Sequence, residues 1–339
     1  MESSQDHART TIDDTEFSGT VLVHRGEEQV VAESYSYANR SDKLPNTVDT
    51  RYGIASGCKI YTAVSICQLV EQGKLAFDTR IVDCLGEEVE HFNPSITIHQ
   101  LLTHTSGVPD YFDEEVMEDF EELWIKQPMY HIRTLRDFLP LFVGEPMKFA
   151  PGEKFHYNNA GYILLGRVVE QLSGLSFTSY VEEHVFKPAE MNGSGYFEMD
   201  ALPAGTASGY IDLEDGSWKT NIYSLPAKGG SDGGAYVTAG DMKRFWQALF
   251  GNKLLSKEFT EKLLTPHVSE DEDTYYGYGV WIDQDEKGIS KYHVMGYDPG
   301  VSFHSGYYPR QEVTITVCSN RSEGAYPVLS QLEEDLLIK

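Results

Sequence analysis

The sequence predicts an α+β fold in which one antiparallel sheet, formed from both chain ends, is flanked by helices and interrupted by a mostly helical inserted subdomain. Three observations predict it. A β-branched hairpin pattern begins at Phe17, clear strand patterns return only beyond residue 277, and about residues 75 to 200 carry helical spacing with long loops. Residues 1–58 and 205–339 are therefore assigned to an α/β sheet subdomain and residues 59–204 to a mainly helical one. The length of 339 residues, at roughly 150 per domain, agrees with two such parts. No Pro- or Ser-rich linker separates them, so they are expected to pack as one unit.

The first dozen residues are polar and expected to be loosely held. Thr20-Val21-Leu22-Val23, a turn at Arg25-Gly26-Glu27-Glu28, and Val30-Val31-Ala32 read as an antiparallel hairpin. After Ser56, Ile60, Ala63, Val64, Cys67 and Val70 fall at helical spacing and predict a helix with one apolar face, stopped by Gly73. Thr97-Ile98-His99-Gln100 is a capping box that opens a short helix ending near Gly107. Further helices are expected over 113–124, 132–143, 160–172 and 177–185, and Thr238 caps another that runs to Phe250. Strands follow over 278–282, 301–304 and 313–317, the last two joined by a turn at Pro309-Arg310, before an amphipathic helix from Val328 to Ile338.

The charge balance is 27 Lys and Arg against 53 Asp and Glu, a net −26. Such a surface repels phosphate backbones and anionic lipid heads, which argues against nucleic-acid and membrane-surface roles and serves solubility. No apolar run is long enough to predict a membrane span. The segment MESSQDHARTTIDDTEF lacks a basic start followed by an apolar stretch, so a cytoplasmic chain is expected. Cys58, Cys67, Cys84 and Cys318 form no C-x-x-C pair and are expected to be free, mostly buried thiols.

Three segments carry chemistry. In Ser56-Gly57-Cys58-Lys59, a lysine three residues after a serine puts amine and hydroxyl on one helix face. A serine hydroxyl needs a neighbouring base to become a nucleophile, and the helix N-terminus favours negative charge developing beside it. Lys59 can serve as that base only if its pKa falls well below ~10.4. A capping serine followed by a solvated lysine has the same spelling. Tyr157-Asn158-Asn159 precedes a predicted helix; a tyrosine hydroxyl can relay protons, and Asn159 can hold the lysine or a substrate carbonyl. Tyr37-Ala38-Asn39 repeats that spelling at a hairpin end, where a structural role is expected. In His293-Val294-Met295-Gly296-Tyr297-Asp298-Pro299-Gly300, small glycines let the backbone approach a carbonyl and the next N–H donate to an oxyanion; a strand with a Pro-Gly turn is the plainer reading.

In this order and spacing, the three segments resemble the serine β-lactamase and penicillin-binding protein superfamily, most closely its class C β-lactamase, D,D-peptidase and esterase branch. The resemblance spans Phe17 to the last helix and includes Leu101-Leu102-Thr103-His104-Thr105-Ser106-Gly107, Gly161-Tyr162-Ile163-Leu164-Leu165-Gly166, Gly233-Gly234-Ala235-Tyr236-Val237-Thr238 and Tyr276-Gly277-Tyr278-Gly279. It implies a β-lactamase/transpeptidase-like fold and a two-step acyl transfer without metal or cofactor. Ser56 would be the nucleophile, Lys59 its proton acceptor, Tyr157 a general base or acid and Asn159 a substrate-positioning group; the N–H groups of Ser56 and Tyr297 would form the oxyanion hole. The third motif departs from the family. A Lys-Thr-Gly or His-x-Gly is replaced by Val294-Met295-Gly296 in the gapless register, or His293 takes the cationic position after a one-residue shift. Either way the lysine that would hold a β-lactam or peptide carboxylate is missing.

Other candidates are weaker. Gly229 to Gly234 lacks the companions of a phosphate cradle and reads as a tight loop lining the site. His99 and His104 have no third ligand for zinc, and Cys58 reads as an inert helix thiol. The sequence thus predicts a serine hydrolase for a small-molecule or peptide ester, amide or β-lactam. A sensor acylated without turnover and a catalytically inactive scaffold stand as alternatives. The oligomeric state is left open.

Overall fold

Gly19–Arg25 (β1) and Glu28–Tyr35 (β2) pair antiparallel about a turn in which Gly26 takes a φ of +56°, the hairpin that the β-branched run predicts. The computed structural model describes residues 17–117 and 119–337; the polar segment expected over residues 1–12, and Ile338 at the end of the last expected helix, lie outside them. The sheet is completed from the other end of the chain by Val268–Ser269 (β3), Thr274–Tyr276 (β4), Trp281–Asp285 (β5), Gly288–Asp298 (β6), Val301–Tyr308 (β7) and Val313–Ser319 (β8). Its order is β2-β1-β8-β7-β6-β5-β4-β3, with antiparallel neighbours throughout. The fold is the α+β arrangement expected, with both chain ends in one sheet.

The main helices are Lys59–Glu71 (α1), Ile98–Leu102 (α2), Asn159–Ser173 (α3), Ala239–Phe250 (α4) and Ala325–Leu337 (α5). Strand alternation sends Val21, Val23, Ile315 and Val317 to a core closed by Val328, Leu329 and Leu332 of α5. Leu22, Phe303 and Cys318 face the larger core with α1, α3 and α4. Each Val or Leu so buried contributes roughly 1.5–3 kcal/mol, and covering both faces fixes the register of β1 and β8. No described helix is long and apolar enough to cross a membrane.

Several elements differ from expectation. The first turns of α1 are buried all round, from Lys59 to Cys67, because the helix runs between sheet and helical region. Its polar side chains are paired inside: Thr62 donates to the Ser231 carbonyl at 2.5 Å and Ser65 to the Tyr61 carbonyl at 2.8 Å. The capping box at Thr97 and Gln100 forms, but α2 ends at Leu102, short of Gly107, and His104 turns left-handed at φ +57°. Among the described residues of 113–124, the helical elements are only a 3-10 turn, Phe120–Glu122, and the start of a short helix, Leu123–Lys126. Like charges at helical spacing oppose a longer one, and Asp113 and Glu115 pair instead with Lys148 and His156. Over 132–143 only Leu135–Phe138 is α-helical, and Phe177–Val181 passes into a wider π turn, Glu182–Phe186. The strand expected from Tyr278 starts at Trp281: Gly279, at φ +70°, packs so closely on α1 that a Cβ would lie 2.7 Å from the Lys59 carbonyl oxygen.

Candidate active site

Ser56 lies in a 3-10 turn, Ala55–Cys58, that leads straight into α1. The preceding Ala55 is held at φ +44°, a left-handed conformation costing roughly 1–2 kcal/mol for a residue with a Cβ. The turn is pressed against the sheet: a Cβ at Gly296 would stand 2.2 Å from the Ile54 carbonyl oxygen and 2.8 Å from the Ser56 nitrogen. Only glycine lets β6 come this near to Ser56.

One turn along α1, Lys59 is 1% exposed. Its Nζ lies 2.8 Å from Ser56 Oγ, 2.8 Å from Asn159 Oδ1 and 2.7 Å from the Asp232 carbonyl oxygen; the last two can only accept, so as an uncharged amine it would donate to them and offer its lone pair to the Ser56 hydroxyl. It also stands 4.9 Å from the centre of the Tyr157 ring. Ser56, Lys59, Tyr157 and Asn159, which span about a hundred residues of sequence, are thereby brought to one point.

Asn159 opens α3, whose N-cap is Asn158, with its side chain accepting from Gly161 N–H at 2.6 Å. The Asp110 carboxylate accepts from the Asn159 and Ala160 N–H groups at 2.8 and 3.0 Å. Burial pushes its pKa up to about 7, opposed by those two donors. Just before the cap, Tyr157 is framed by aromatic rings, with Trp281 stacked 6.1 Å away at 12°. Burial holds the Tyr157 hydroxyl well above its ordinary range; Glu114 adds to the effect, and a hydrogen bond with Ser56 opposes it.

Tyr157 stands beside Lys59 and Gly296 against the Ser56 nitrogen, while Ser56, Asn159, Tyr297 and Asp298 are on the wall of a cleft of about 300 Å³. Its apolar side is supplied by Phe112, Met117, Phe120, Phe138, Leu225 and Val301. The loop from Gly229 to Gly234 lines the cleft, as its glycines suggest; there Asp232 accepts from the Tyr111 hydroxyl. Asp110, Asp232 and Asp298 were not singled out in the sequence because an acid inside a site and an acid on a −26 surface look alike there, and Tyr111 is one of 21 tyrosines.

His293 is not brought in. The two-residue period of β6 puts it with Met295 on the face turned away from Gly296, cross-strand from Trp281 and Gly306. It is buried there, with Nε2 3.2 Å from Asp283 Oδ1, and burial lowers its pKa against the pull of Asp283. The expectation of His293 as a site residue is therefore corrected. The gapless register stands because Gly296 is the glycine that abuts Ser56, which leaves Val294, 2% exposed, in the cationic slot. No Lys, Arg or His lines the cleft among the described residues, whereas Glu114, Asp232 and Asp298 do. The four cysteines are free, and burial pushes Cys58 up to about 12, which makes it a poor nucleophile.

A family model described as Beta-lactamase matches residues 6–337 of the chain. Penicillin-binding protein 4* of Bacillus subtilis (strain 168) is 30% identical over 331 residues, covering 91% of this chain and 69% of that protein. Among solved structures, the penicillin binding protein from Bacillus halodurans is 60% identical with a TM-score of 0.94, covering 97% of this chain and 99% of that one. The octameric penicillin-binding protein homologue from Pyrococcus abyssi is 25% identical with a TM-score of 0.85, covering 100% of this chain and 78% of that one.

Proposed function

The chain belongs to the Beta-lactamase family, and on that premise we propose that it is a serine hydrolase that cleaves an ester or amide through an acyl-enzyme on Ser56. The observation that carries the reading is the 2.8 Å contact between Ser56 Oγ and the buried Lys59 Nζ, with the Tyr157 ring beside it. In acylation, Ser56 Oγ attacks the carbonyl carbon and its proton passes into the Lys59–Tyr157 pair, which hands a proton to the departing amine or alcohol. The N–H groups of Ser56 and Tyr297 are assigned to the oxyanion, a role supported by the closeness of Gly296 to the Ser56 nitrogen. Water then attacks the acyl ester from the same pair, and Oγ recovers its proton. Asn159 positions Lys59 and reaches the substrate carbonyl side of the cleft.

The class C-like branch, with its D,D-peptidase and esterase chemistry, is supported by a tyrosine and asparagine two residues apart beside the lysine. Efficient β-lactamase or carboxypeptidase activity is not part of the proposal, because Val294 stands where a carboxylate-binding cation would be needed. The test is labelling with a fluorophosphonate and hydrolysis of p-nitrophenyl esters. Labelling on Ser56 with turnover, both lost in Ser56→Ala, is expected. Stoichiometric labelling without product release favours the sensor, and absence of labelling favours the inactive scaffold.

A further inference from the structure

The cleft is lined by acids. Three carboxyl groups, from Glu114, Asp232 and Asp298, line it without a lining cation among the described residues, and Lys59 Nζ behind them is already engaged with Ser56, Asn159 and the Asp232 carbonyl. The carboxylates are not equivalent. Asp232 accepts from the Tyr111 hydroxyl, and Glu114 is exposed to water. Asp298 is partly buried in the wall, yet its carboxylate accepts no hydrogen bond and forms no ion pair within the described residues. Burial pushes it up to about 8, with Asp232 adding to the rise and Lys59 opposing it. A partly buried carboxyl group without a partner keeps its proton near neutral pH, and a cation that joins it draws that proton off and makes a charge-assisted bond.

Its place in the strand tells where that cation belongs. Asp298 is two residues beyond Gly296 on the same face of β6, about 7 Å along the strand. That face is the one pressed against Ser56. A group that touches Asp298 while its carbonyl carbon is at Ser56 Oγ must therefore sit within a few bonds of that carbonyl. Opposite it, a substrate carboxylate would meet three acids and no cation, since Val294 is apolar.

On the premise that Ser56 is the acylated nucleophile, we propose that the cleft selects esters and amides bearing a primary ammonium close to the scissile carbonyl, and that Asp298 binds that ammonium. The substrates so described are aminoacyl esters and amides and short peptides with a free amino terminus. The ammonium takes no part in bond making: Oγ joins the carbonyl carbon, the C–N or C–O bond breaks, the leaving group takes the proton, and water releases the amino acid.

Three p-nitroanilides that differ only at the amino group test the proposal, each prepared from D- and from L-alanine: the free amine, its N-acetyl and its N-succinyl derivative. The wild type is expected to favour the free amine over the acetyl compound in kcat/KM by about 10- to 100-fold, as an added charged hydrogen bond implies, and to disfavour the succinyl compound further. Asp298→Asn should bring the amine-to-acetyl ratio to within about threefold of unity, and Asp298→Lys should favour the succinyl compound. Fluorophosphonate labelling of every variant on Ser56 reports an intact site. Equal or faster turnover of the acetyl or succinyl compound by wild type overturns the proposal, as does an unchanged ratio in Asp298→Asn or a labelled enzyme that cleaves none of the three. Failure of the wild type to label at Ser56 overturns instead the reading on which the proposal rests, and the proposal falls with it.

Discussion

His104 grips the chain on both sides of Tyr157: its carbonyl accepts the His156 N–H at 2.9 Å and its Nδ1 accepts the Asn158 N–H at 3.0 Å. Its ring lies 4.4 Å from the Tyr157 ring. Nδ1 is thus the acceptor and Nε2 carries the proton, without a hydrogen-bond partner among the described residues; burial keeps the ring neutral by lowering its pKa well below the usual histidine range. His104→Ala removes the side-chain half of this grip and lets Tyr157 drift. A kcat lower by about 100-fold with KM changed by less than threefold is expected, and His104→Asn, which keeps an acceptor, should recover part of it. Steady-state kinetics on a p-nitrophenyl ester distinguish this from simple unfolding, which would reduce active-site titre rather than kcat per titrated site.

Lys59→Ala should slow labelling of Ser56 by roughly 10²–10⁴-fold while circular dichroism stays that of the folded protein. A labelling rate within threefold of wild type would remove Lys59 from the mechanism.

Gly296→Ala places a Cβ 2.2 Å from the Ile54 carbonyl oxygen and 2.8 Å from the Ser56 nitrogen. Neither neighbour is a flexible side-chain end, so strand and turn must separate. A displacement of even 1 Å costs about 100-fold in rate, and that loss in kcat/KM is expected. Wild-type kinetics would show that the close approach is not used.

His293→Ala should leave kcat/KM within about twofold, because the imidazole faces away from Gly296 and ties Asp283 instead. The cost falls on stability, about 1–3 kcal/mol for the partner lost, read from chemical denaturation. A hundredfold loss of activity would return His293 to the site.

Stability should fall as pH rises from 6.5 to 8.5. Burial lifts the Asp298 pKa to about 8 in the folded state, against ~3.9 unfolded, so across the interval the native state binds more protons and deprotonation costs it stability. Asp110, pushed up to about 7, acts in the same direction over the lower part of that window. Buried histidines with lowered pKa, such as His104, have already made their opposite contribution below about pH 6.5. Thermal melts should show a smaller decline in Asp298→Asn than in wild type; equal slopes would contradict the assignment.

Much of the architecture is written locally. The hairpin of β1 and β2, the Thr97 and Thr238 caps, and the helices after Ser56 and Asn158 each follow from residues within a few positions of one another, because capping, turn chemistry and side-chain periodicity act over one or two turns. The Ser56–Lys59 pair is legible for the same reason: three residues of helix suffice to juxtapose them. The sequence by itself also determined the family pattern, in the order of its three motifs.

Tertiary structure alone decided the rest. Whether Val294 or His293 faces the site depended on which residue of β6 backs onto Ser56, and a strand's two faces differ only by what packs on them. The halt of a strand before Trp281 came from Gly279 pressing on α1, some 200 residues away in sequence. The acids could not be sorted beforehand because a carboxylate's character is set by its surroundings. Glu114 is exposed to water, Asp110 is met by a helix end, and Asp298 lines a cleft with no lining cation among the described residues.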